Sequence, residues 1–165
     1  MTLADFTSPR LIIPELQGAD VATVLQELSQ ALHRGERVPD FAPFYEAALN
    51  RESLVSTDTE AGIAFPHARL AGVKEVSFAL GRHEKSLRWS AKALSSVRLV
   101  FLIAVPPNES MQYLSLISGL VRLAKDSDLP QTLFAATDCL EMFKVLEQVK
   151  LRTNPARKPV EAAGR

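Results

Sequence analysis

The run Val97-Arg98-Leu99-Val100-Phe101-Leu102-Ile103-Ala104-Val105, stopped by Pro106-Pro107, constrains the fold of this chain more than any other stretch. It has the length of a strand and is far too short to cross a bilayer. A strand that alternates can lie at the surface of a domain, whereas one that is apolar almost throughout has to be central and covered on both faces. The prolines close it because they bring no amide to a ladder. The remaining sequence must therefore supply two covering layers and neighbouring strands.

Helical periodicity supplies the layers. Val21, Val24, Leu25, Leu28 and Leu32 recur behind Asp20, a good N-cap, with Gly35 just past the end. A second helix begins near Asp40, tolerates Pro43 in its first turn, carries Phe41, Phe44, Tyr45, Ala48 and Leu49 on one face, and ends around Arg51-Glu52. The clearest 3.6-residue period, Tyr113, Leu114, Ile117, Leu120, Val121 and Ala124, predicts a long helix capped by Asn108. Asp128 with Gln131, and Asp138 with Glu141, have capping-box spacing and predict two shorter helices.

Val76, Phe78 and Leu80 alternate as a half-buried strand, Leu87-Arg88-Trp89 reads as an added edge, and Gly62-Ile63-Ala64-Phe65 as a further short strand. This order of elements predicts an α/β domain, a small mixed β-sheet covered by helices on both faces. A chain of 165 residues, 47% hydrophobic, suits a single domain, expected over residues 1–150, with 151–165 as a loose tail without period. Phe41, Phe44 and Trp89 read as core, with a partner surface as the other possibility.

Charge and composition exclude several functions. Lys plus Arg and Asp plus Glu stand at 19 each, so no basic field draws in nucleic acid or an anionic membrane. The single cysteine, Cys139, forms no intrachain disulfide and belongs to no Cys/His cluster with zinc spacing, so neither a metal nor a cofactor is expected. Met1 to Arg10 lacks the pattern of a secretion signal, and the expected location is cytoplasmic. Neither a Gly-x-Ser-x-Gly elbow nor a phosphate-cradling glycine loop is present, which ranks hydrolases and nucleotide enzymes low.

One dipeptide points to chemistry. Pro66-His67 follows the short strand, and the proline is expected to end it, leaving the imidazole at a strand's end near solvent, where histidine serves as base, ligand or phosphate acceptor. Arg51, Ser56 and Thr57 lie upstream in one connected segment, and guanidinium, hydroxyls and loop amides are what holds phosphate oxygens. On residues alone, Arg51 also reads as a cation offsetting a helix dipole, and Tyr113 as a packed helix residue or a hydroxyl aimed at the same site. His33 and His83 read as solvated surface residues.

Arg51-Glu52, Ser56-Thr57, Gly62 to Leu70 with its Ile-Ala-Phe-Pro-His core, the strand ending Val105-Pro106, and Tyr113 to Ile117 followed by Leu120 to Leu123 together resemble the EIIA domain of the fructose/mannitol class of the bacterial sugar phosphotransferase system, including its nitrogen-regulatory members. The resemblance runs from about Leu11 to Val149. It implies that His67 accepts a phosphoryl group from the carrier HPr or its nitrogen-branch counterpart, with Arg51, Ser56, Thr57 and Tyr113 supporting the phosphoryl oxygens, and that an EIIB domain or a regulatory target receives the group or the signal. Two departures stand out. Asp58-Thr59-Glu60-Ala61 occupies a stretch that is usually glycine-rich, and Tyr113 stands where many members have a second histidine. They leave open a second function, a regulatory binding module in which phosphotransfer has been lost.

Overall fold

The computed structural model describes residues 1–92 and 95–152. Its elements are β1 (Ile12–Ile13), α1 (Val21–Arg34), α2 (Phe41–Leu54), β2 (Ile63–Ala64), β3 (His67–Arg69), β4 (Ser77–Leu87), β5 (Val97–Val105), α3 (Met111–Lys125), α4 (Leu129–Ala135) and α5 (Cys139–Glu147). The strands form one mixed sheet, with β5 between β4 on one side and β2 and β3 on the other, and β1 beside β4. The β4/β5 pair is antiparallel, and the other three pairings are parallel.

Both faces of β5 are covered, as its apolar run demands. Leu99, Phe101, Ile103 and Val105 pack with Leu116, Leu120 and Leu123 of α3 and with the residues of α4 and α5. Val100, Leu102 and Ala104 turn the other way, against Leu25, Leu28 and Leu32 of α1 and Phe44 and Ala48 of α2. The sheet's phenylalanines Phe65, Phe78 and Phe101 lie on the α3 side, and Ala64, Ala68, Ala79 and Ala104 on the α1/α2 side, where small side chains let the helices approach.

Pro66 interrupts the sheet edge without ending the pairing along β5: β2 stops at Ala64 and β3 opens at His67. Ile63 pairs with Leu99 and His67 with Ile103, a constant offset, and the Pro66 carbonyl accepts from the Ile103 amide at 2.9 Å. The proline removes one donor at the sheet's edge, where that is tolerated, and the ladder resumes in unchanged register. His67 therefore opens β3 and does not close the strand before it. The Leu87 segment is likewise no separate edge, since Leu87 pairs with Val97 as the far end of β4.

Three helix expectations also change. Helix α2 runs on to Leu54. Helix α3 starts after Ser110, not Asn108, and buries Leu116, Gly119, Leu120 and Leu123, leaving Leu114 at 61% and Val121 at 38% exposed. At α4 the Asp128 side chain makes no cap, and Asp126 accepts from the amides of Asp128 and Leu129 instead. Asp20 and Asp138 do cap α1 and α5 through the amides of Thr23 and Glu141.

The two ends of the described chain are tied together. Leu3 N–H donates to Val149 O at 3.0 Å, Leu151 N–H donates to Met1 O at 2.8 Å, and Thr2 bridges antiparallel to Lys150. Leu151, expected in the tail, is buried against Gly119 and the core. The rest of the expected tail, 153–165, lies outside the described residues. Among the described residues no helix is long and apolar enough to cross a membrane.

Candidate functional site around His67

Strand alternation decides which way His67 faces. Ala68 packs toward α1 and α2, so His67 and Arg69 stand on the α3 side. There the imidazole meets Tyr113 in the first turns of α3, ring centroids 5.5 Å apart and planes inclined at 47°. Arg69 lies with its guanidinium carbon 5.3 Å from the centre of the same tyrosine ring and donates to the carbonyls of Pro106 and Glu109, which anchors the β5 to α3 turn. From the other layer, Arg51 near the end of α2 donates to Val55 O at 3.1 Å. The site thus sits at the carboxyl end of the parallel strands, between both helix layers, where sheets of this kind place their sites.

The tautomer of His67 follows from one contact. Its Nδ1 lies 3.2 Å from the carbonyl oxygen of Phe65. A carbonyl only accepts, so Nδ1 carries the proton and Nε2 keeps its lone pair. Burial pushes the imidazole below its ordinary value, and the cations of Arg51 and Arg69 push the same way against the Phe65 carbonyl and Glu52. Both effects favour the neutral ring, whose lone pair is then at Nε2. Burial raises the Tyr113 phenol, against Arg69 and Arg51, so its hydroxyl keeps a proton to donate.

The loop between α2 and β2 is arranged differently from the expectation that both hydroxyls face phosphate. Thr57 Oγ1 lies 2.9 and 3.0 Å from the two Glu52 carboxylate oxygens and accepts from the Phe65 amide at 2.9 Å. Its one donor is committed to Glu52, leaving none for a phosphate oxygen, so Thr57 positions the backbone that carries His67. Ser56 Oγ donates to Asp58 Oδ1 at 2.8 Å. Asp58, only 3% exposed in its side chain, also takes Ser90 Oγ at 3.0 Å and Lys92 Nζ at 3.3 Å. Burial raises this carboxyl, but the bonds from Ser56, Ser95, Ser90 and Lys92 outweigh it and hold it below the usual carboxylate value. Asp58 is therefore a satisfied structural anion committed away from the imidazole, and Glu60 is exposed. The turn needs one glycine: Gly62 has φ 77°, and its amide donates to Thr59 O.

Two residues gained importance over the sequence reading. Glu52, 4% exposed, takes the Trp89 indole N–H at 2.8 Å and the Thr57 amide at 2.7 Å besides the Thr57 hydroxyl. The signal was its spacing: four residues past Ala48 and eight past Phe44, Glu52 continues the buried face of α2. Arg69 was legible as the residue two past His67, on the same strand face.

The family model described as phosphoenolpyruvate-dependent sugar phosphotransferase system, EIIA 2, matches residues 5–149. The chain is 27% identical over 150 residues to the nitrogen regulatory protein of Bradyrhizobium diazoefficiens, covering 88% of this chain and 95% of that protein. It is 30% identical over 125 residues, 74% of this chain, to the 2-O-alpha-mannosyl-D-glycerate-specific EIIABC component of Escherichia coli, of which the match spans 19%. Among solved structures, nitrogen regulatory protein IIA-Ntr from Neisseria meningitidis superposes with TM-score 0.75 at 25% identity, over 87% of this chain and 98% of that one. IIA mannitol from Escherichia coli superposes with TM-score 0.72 at 21% identity, over 84% and 97%. With the sheet order, the covered central strand and this match over nearly its whole length, the chain belongs to the EIIA 2 family of the phosphoenolpyruvate-dependent sugar phosphotransferase system.

Proposed function

We propose that this protein is a phosphoryl-accepting EIIA component, phosphorylated on His67 Nε2 by an HPr-type carrier and acting through its phosphorylated state in regulation or sugar uptake. The observation that carries this reading is the Nδ1 to Phe65 carbonyl contact, which leaves Nε2 as the free nucleophile. In the transfer the phosphorus to nitrogen bond of the carrier's phosphohistidine breaks as the bond to Nε2 forms, and the proton on Nδ1 stays where it is. Arg51 and Arg69 offset the charge of the incoming oxygens, and the Tyr113 hydroxyl donates to one of them.

A docking partner is favoured by four exposed apolar residues on, or directly after, the helices that deliver Arg51 and Tyr113: Leu54, Val55, Met111 and Leu114, each more than half exposed. An EIIB-type domain is a natural recipient, because a structural neighbour is the complex of Escherichia coli enzyme IIA mannitol with phosphorylated enzyme IIB mannitol. Loss of phosphotransfer finds less support, since Asp58 is turned to Ser56, Ser90 and Lys92.

Incubation with phosphoenolpyruvate, enzyme I and HPr should add one phosphoryl group by mass. His67→Gln should abolish it, and His33→Gln and His83→Gln should retain it. An unlabelled wild-type chain, under conditions that label another EIIA, would leave the binding-module function standing.

A further inference from the structure

A second constellation lies at the end of β5 remote from His67. Arg98 is near the start of that strand, and Arg82 of β4 pairs across from Leu99. Their side chains line a cavity of about 570 Å³ together with Gln17, His83, Lys85 and Phe134. Among the described residues both guanidiniums are fixed by neutral partners. Arg82 gives Nε to Pro14 O at 3.2 Å and Nη1 to Leu133 O at 2.8 Å and to Ala136 O. Arg98 gives Nε to His83 O at 3.2 Å and lies 4.8 Å above the Phe134 ring.

Among the described residues neither arginine forms an ion pair, although Glu15 and Glu84 also border the cavity. Burial and then the nearby Arg98 push the Arg82 guanidinium below its ordinary value, against Glu15, and two like charges lining one cavity favour an anion between them. Arg82 Nη2 and both terminal nitrogens of Arg98 have no hydrogen bond to the described residues, so the Arg98 fork and a single Arg82 nitrogen remain as donors among the residues that line one space. Arg82, Arg98 and Lys85 outnumber Glu15 and Glu84 around the cavity, which favours an anion over a cation, and the polar lining disfavours a purely apolar ligand. The two border carboxylates oppose a long polyanion such as nucleic acid.

We propose that this cleft is a second binding site, for a small metabolite bearing a diphosphate group, held by the fork of Arg98 and the Nη2 of Arg82 with Lys85 at the rim. The cavity lies in the size range of small-molecule sites and exceeds what a lone phosphate needs.

Calorimetry with inorganic pyrophosphate as probe tests the assignment. One saturable site is expected, unaffected by His67→Gln and Arg51→Gln and weakened at least tenfold by Arg98→Gln. Lys85 is exposed, so Lys85→Glu keeps the fold and should weaken binding several-fold, carrying the test if Arg98→Gln lowers the thermal midpoint. Inorganic phosphate should bind at least tenfold more weakly, and equal affinity would overturn the diphosphate assignment. Absence of saturable binding, indifference to Lys85→Glu, or loss in His67→Gln with Arg98→Gln intact would each overturn the site.

Discussion

A neutral imidazole exists in two forms, and a single carbonyl two residues back chooses between them at His67. The choice has a measurable pH signature. Because the folded ring binds its proton less readily than an unfolded one, NMR titration should place its midpoint below the ordinary 6.5. Phosphoryl acceptance should persist as pH falls through that value and decline only below it. The linkage has the same sign: the unfolded chain takes the extra proton, so this group's contribution to stability is present above 6.5 and is lost as pH drops toward the folded value. Thr57→Val leaves the Phe65 amide and Glu52 short of a partner. A loss of about 1–3 kcal/mol is expected in urea unfolding.

At the scale of elements, patterns set by burial were legible and those set by partners were not. Asp20, Gly35 and the β5 run identified α1 and the central strand correctly, because cap and period coincide there. Helix α3 has apolar residues around more of its circumference than it buries, so its period alone could not tell the core face from the face with Leu114 and Val121. Leu116→Ala should therefore cost about 2–5 kcal/mol, and Leu114→Ser and Val121→Ser roughly 0.5 kcal/mol or less, by the same unfolding assay. At the site, the approach of His67 and Tyr113 was one of two readings the sequence offered for the tyrosine, although the strand and helix bounds that produce it differ from those expected. The use of Thr57 as a backbone support was not foreseeable, since it depends on Glu52 being buried beside Trp89, a contact between residues far apart in the chain.

The whole molecule joins two helix layers through one sheet, with His67 and the Arg82/Arg98 cleft toward opposite ends of β5. Removing a piece of either layer should be felt throughout the cooperative unit. Leu151→Ala, emptying the space against Gly119 and Leu3, should lower stability by about 2–5 kcal/mol although it lies far along the chain. The clasp of Met1 with Leu151 and Thr2 with Lys150 has a different meaning for how such a fold is carried. Entry and exit of the backbone fall at one place, so a longer polypeptide can house this unit as an insert, needing only to arrive at that place and depart from it, with no strand of the host drawn across the sheet.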